Sequence, residues 1–234
     1  QKIETTQINS IMRKLILFTA VVALFVACGS KNQFTLNGTI VPGTEGNIVL
    51  YTFEKGQPVP TDTAEVVEGK FKFTGEIDMP SMYLLKLEGG NNFVAQAFVE
   101  NSKINLTIYP DSLQANKIEG SKSQDILQSF LDEMTIYSKK EGEIQQRFQQ
   151  AQMSGNETEM EAVRTEYGVM VDNNMLYTKN FISKNSASPV AAYVYLMTMF
   201  SQAESEELDS MLTVFDPAIA ESDFVKVIKE RADE

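Results

Sequence analysis

The side chains that could do chemistry here are mostly carboxylates. The chain holds 32 Asp and Glu, no His, no Trp and a single Cys. Lack of His removes the commonest general base and the commonest metal ligand. Asp62, Glu65, Glu68 and Glu76 cluster in sequence and would suit a metal or an acid–base pair. No spacing brings two of them within a few ångströms, and turn-flanking carboxylates are usually solvated, so they are read as surface charge. Gly69-Lys70-Phe71-Lys72-Phe73 has the alternation of a basic, aromatic ribbon. It fits a strand with Phe inward and Lys outward better. Glu100 follows an apolar strand and is expected to cap a turn rather than hold a ligand. Met134, Met160, Met170, Met175, Met197, Met199 and Met211 could line an adaptable groove or a soft copper site. Core filling is their expected use. No Walker A, nucleophile elbow or zinc pattern is present. The expected catalytic residues, metal sites and cofactors are therefore none.

Cys28 has a different chemistry. Met12-Arg13-Lys14 precedes the apolar run from Leu15 to Ala27. That run is too short to span a bilayer and suits the h-region of a signal peptide. It ends in Phe25-Val26-Ala27-Cys28-Gly29-Ser30, which resembles a lipobox. Cleavage before Cys28 would leave a diacylated or triacylated N-terminus, and two or three chains anchor where one does not. Residues 1–27 are read as upstream residues plus signal peptide, and 28–33 as a lipidated tether. The expected location is the cell envelope, lipid-anchored in the outer membrane and facing the periplasm. The membrane, reached through Cys28, is the first expected partner.

The net charge is −12, and removal of residues 1–27 with Lys2, Arg13, Lys14 and Glu4 leaves the rest more acidic still. A surface of that sign excludes nucleic acid as a partner and disfavours electrostatic binding to anionic lipid. One cysteine cannot make a disulfide within the chain.

The elements that would carry these groups change character midway. From Phe34 the period is two, and seven short strand-like segments lie between turn signals: Phe34 to Ile40, Gly46 to Phe53, Thr61 to Val67, Lys70 to Gly75, Ser81 to Glu88, Phe93 to Glu100 and Lys103 to Tyr109. They predict an antiparallel β-sandwich or barrel over 34–120. Its inward face is expected to hold Phe34, Leu36, Ile40, Val49, Tyr51, Phe71, Phe73, Leu85, Leu87, Phe98, Leu106 and Ile108. From Ser121 the period is helical. Ser121-x-x-Gln124 reads as a capping box before the face Ile126, Leu127, Phe130, Leu131, Met134 and Tyr137. Ser154-Gly155-Asn156 should break this helix, and Asn156 should cap a second one carrying Met160, Val163, Tyr167, Met170, Val171, Leu176, Phe181 and Ile182. Ser188-Pro189 opens an apolar helix, Ser201-x-x-Glu204 the next, and Asp216-Pro217 the last segment. Residues 121–234 are thus expected to form a helical domain with a long hairpin, read below as a helical spacer domain from a family resemblance, and the class is α+β with segregated halves.

The motifs Phe34-Thr35-Leu36-Asn37-Gly38-Thr39-Ile40, Asn47-Ile48-Val49-Leu50-Tyr51, Gly69 to Gly75, Phe98-Val99-Glu100 and Ile118-Glu119-Gly120-Ser121 resemble a lipoprotein family of Gram-negative bacteria. Its β-rich module, a domain of unknown function, commonly precedes a TlpA/ResA-like thioredoxin domain of the AhpC/TSA type. Ser186 to Tyr193 resembles the helical spacer between the two. The resemblance implies a role beside periplasmic thiol–disulfide chemistry and a thioredoxin-like protein partner. The Cys-x-x-Cys of that redox domain is absent here, and Glu234 falls about where the domain would begin. Asp62-Thr63-Ala64 and Asp111-Ser112-Leu113 also resemble the acceptor pattern of envelope O-glycosylation, which would place glycans on Thr63 and Ser112.

The expected function is a non-catalytic envelope lipoprotein module that binds or positions a partner or substrate. Two alternatives stay open. One is the N-terminal part of a thioredoxin-like oxidoreductase. The other is a small-ligand or glycan binder, for which the absence of Trp gives little support.

Overall fold

The computed structural model describes residues 33–54 and 56–234; the expected signal peptide and lipidation site, residues 1–27 and Cys28, lie outside them. Among the described residues eight strands come first: β1 Phe34–Ile40, β2 Gly46–Glu54, β3 Gln57–Val66, β4 Lys70–Gly75, β5 Ser81–Leu87, β6 Phe93–Val99, β7 Lys103–Ile108 and β8 Lys117–Glu119. They form two four-stranded sheets, ordered β4-β1-β7-β8 and β3-β2-β5-β6. All pairs are antiparallel except β1 with β7, which run parallel. The alternation in β1 and β4 has a direct cause. Phe34, Leu36, Phe71 and Phe73 are buried between the sheets, and Lys70 and Lys72 point to water. The turn from β3 to β4 passes through Glu68 and Gly69, both at positive φ (52° and 73°), the twist a two-residue hairpin requires.

Five α-helices follow among the described residues: α1 Lys122–Ser154, α2 Glu157–Lys184, α3 Pro189–Thr198, α4 Ser205–Leu212 and α5 Asp223–Ala232. The α+β class with strands before helices is as expected. α1 has 33 residues and so reaches about 50 Å. Gly155 ends it at φ 65°, and Asn156 accepts the Glu159 N–H to start α2. Near the hairpin tip Ile144, Val163 and Met170 form a small core of their own.

Several expectations need correction. The phase of β2 is one residue off: Ile48 and Leu50 are buried in the sandwich, while Val49 and Tyr51 face the other way. Phe98 is buried, but on the opposite face of its sheet, where it joins the helical core with Met82. Leu87 is only partly buried. β3 starts at Gln57, so Pro58 and Pro60 lie in a strand; as an edge strand it tolerates missing N–H donors. The short β8 carries no readable period. On α2, Tyr167, Val171 and Leu176 are exposed rather than inward. α4 is preceded by Glu204, not Ser201, and the Glu204 N–H donates to the Glu207 carboxylate. Asp216-Pro217 opens only a 3₁₀ turn. The last helix starts after buried Ser222, whose hydroxyl accepts the Val225 N–H.

Candidate functional site

The densest polar construction sits where the sandwich meets the helices. Glu100, just past β6, aims its carboxylate at the first turn of α1. One oxygen accepts from the Lys122 N–H at 2.6 Å. The other accepts from the Ser123 N–H at 3.2 Å and from its hydroxyl at 2.7 Å. Helix N-termini carry unpaired N–H groups and favour negative charge, so this carboxylate closes α1 from outside the helix. Glu100 is thus a cap, as expected from its position.

Ser121 accepts the Gln124 N–H, which gives half of the expected capping box. The other half is diverted. The Gln124 side chain turns away from the helix and accepts the N–H of Phe98 on β6, at 2.9 Å in a buried setting. Ser102 completes the seam by donating to the Gly120 carbonyl at 2.8 Å. Phe98 then stacks edge-on against Tyr193 of α3 at 5.3 Å and lies 5.7 Å from Phe224 of α5. Sheet and helices therefore share one apolar core across the 120/121 boundary.

Next to the seam lies a slot of about 740 Å³ between the outer face of the β5–β6 pair, the start of α1 and residues 113–118. Met82, Leu84 and Phe93 line its sheet side, and Leu127 and Leu131 its helix side. A second groove, about 930 Å³, runs between the β2–β3 turn, α3 and α5, with Phe53, Tyr193, Leu196 and Phe224 in its wall. Burial raises the phenol of Tyr193 above its ordinary value, and raises Tyr195, helped by Glu207.

The other candidates are scattered. Among the described residues no three Asp, Glu, His or Cys side chains converge on a common point. Asp62 accepts from the Thr63 N–H, and Glu76 from the Gln33 amide, both at the surface. Glu65 and Glu68 are exposed. Thr63 on β3 and Ser112 in the loop after β7 are both exposed to solvent. Met170 is buried, as core filling requires, but Met175 and Met197 are about half exposed. Met134, Met175 and Met199 share the wall of a groove of about 490 Å³. No helix among the described residues is long and apolar enough to cross a membrane.

Sequence reasoning missed the second role of Gln124 and the amide of Asn116. Asn116 accepts from the Tyr109 N–H at 2.8 Å and donates to the Val94 carbonyl at 2.9 Å, tying the two sheets together. No local pattern announces either, because both partners lie more than five residues away in the chain.

Residues 34–127 match the model of a family described as Domain of unknown function (DUF4369). The matched stretch runs past the last strand into α1, taking in the residues Glu100 caps, Gln124 and buried Leu127. No curated protein matches the chain.

Proposed function

We propose that the chain is a non-catalytic envelope lipoprotein module, anchored through acylated Cys28, that binds or positions a protein partner near periplasmic thiol–disulfide chemistry. The observation that carries the positioning part is the seam at Glu100 and Gln124. It joins the sandwich, through hydrogen bonds and a shared apolar core, to the base of a hairpin about 50 Å long. A stiff arm on a lipid anchor fixes the distance between a membrane and whatever binds along the arm. Ile136, Val169, Met175 and Leu176 supply exposed apolar surface on that hairpin. The anchor rests on the sequence around Cys28, with its basic n-region and apolar run.

Palmitate labelling in a Gram-negative host tests the anchor. Wild-type protein takes up label and fractionates with membranes; Cys28→Ser takes up none. Equal labelling of the two refutes lipidation at Cys28. An insulin-reduction assay tests the non-catalytic part, and turnover above background by the purified chain overturns it.

A further inference from the structure

The slot beside the seam contains an unpaired piece of β-sheet edge. Among the described residues β6 is the terminal strand of its sheet, and β5 is its one neighbour. In an antiparallel pair, alternate residues turn both backbone groups toward the neighbour or both away. The Phe98 N–H goes to Gln124, so Phe98 is one of the residues turned away. Met82 pairs with Phe98 and Leu84 with Gln96 in unbroken register, so Gln96 is turned away too. Two residues on either side of it the edge is already taken: Gln124 accepts from Phe98, and Asn116 donates to the Val94 carbonyl. Among the described residues the N–H and C=O of Gln96 have no partner. Gln96 itself is exposed and lies in the slot wall.

We propose that this slot binds a short, uncharged peptide segment in extended form, one residue of which exchanges both backbone hydrogen bonds with Gln96. Two features select that occupant. First, in a chain of net charge −12, no charged side chain among the described residues lines the slot; the polar groups there are the amides of Gln96, Gln114, Asn116, Gln124 and Gln128 and the hydroxyl of Thr135. A charged ligand would lose its hydration with no counter-ion in return. Second, an N–H and a C=O turned to the same side of a strand are met by the C=O and N–H of one extended residue. An acyl chain would bury both groups unsatisfied. The Asn116 and Gln124 amides limit the pairing to a single residue, and its side chain would stand beside that of Gln96, on the face of the sheet that Leu131 covers.

The inference rests on the binding-module reading and names the chemistry of what is bound. It is independent of the anchor, so failure of palmitate labelling leaves it standing. The test is an NMR titration of the ¹⁵N-labelled protein with Ac-Ala-Leu-Ala-NHMe. The expected result is a saturable shift of the Gln96 amide with slowed hydrogen exchange. The same peptide N-methylated at Leu, lacking one donor, binds about fivefold or more weakly. Gln96→Pro removes the outward N–H at an edge position where proline is tolerated, and abolishes binding at an unchanged unfolding midpoint. If Gln96→Pro does not fold, the N-methylated peptide still decides. No shift at Gln96 with the parent peptide, or equal binding of the two peptides, overturns the proposal.

Discussion

The carboxylate of Glu100 holds Ser123 by two bonds, one from its backbone N–H and one from its hydroxyl, across 23 positions of sequence. The last residue of the β6 motif thereby fixes the start of the longest helix. Charge-assisted bonds of this kind are roughly twice as strong as neutral ones.

Glu100→Gln should therefore cost more than a surface change. The variant keeps one acceptor but turns an amide donor toward N–H groups. A loss of about 1–3 kcal/mol is expected in urea unfolding, with an unchanged m-value. The amides of Lys122 and Ser123 should lose exchange protection before the rest of α1. An unchanged midpoint would mean that water replaces the cap.

Gly38 pairs with Phe71 across β1 and β4, and a Cβ at Gly38 would fall inside the Phe71 ring. The ring lies over the bare glycine and closes that part of the core. Gly38→Ala should destabilise by about 1–3 kcal/mol through overpacking. Adding Phe71→Leu should recover part of that loss, giving a non-zero coupling in a double-mutant cycle. Strictly additive effects would show that the ring is free to move aside.

Burial raises the phenols of Tyr83, Tyr177, Tyr193 and Tyr195, with further raising by Asp223 at Tyr83 and by Glu133 and Tyr137 at Tyr177. Above the unfolded value of about 10, the unfolded chain has released these protons and the folded protein still holds them. The unfolded state then binds fewer protons, so stability falls as pH rises. It is unaffected by these groups below pH 10, begins to drop there, and the loss is complete once pH passes the folded values. Melting temperatures at pH 8.5 and pH 11 check this, with phenolate absorbance followed alongside. Tyr193→Phe should shrink the drop while leaving the pH 8.5 value close to wild type. A melting temperature that does not fall between the two pH values would show that the phenols ionise alike in both states.

Strands before helices, and most of the individual elements, were legible along the chain; β8 and the start of the last helix were not. Period-two runs bounded by glycine turns are local, and so are Asn156 as a cap, Gly155 as a stop and Ser188-Pro189 as a start. In β1 and β4 one phase is apolar and the other polar, so the inward face was legible as well. β2 reads Ile48-Val49-Leu50-Tyr51, apolar in both phases, and alternation cannot choose between them. The tertiary structure chose, because this sheet has two covered faces: Ile48 and Leu50 meet the opposite sheet, while Met82 and Phe98 meet the helices. The same holds for the polar groups. Ser121-x-x-Gln124 announces a helix start, but only the approach of β6 offers Gln124 the Phe98 N–H. That choice left Gln96 as the unpaired gap in the sheet edge. A buried donor must find an acceptor somewhere, and which one it finds is decided by packing rather than by spacing along the chain.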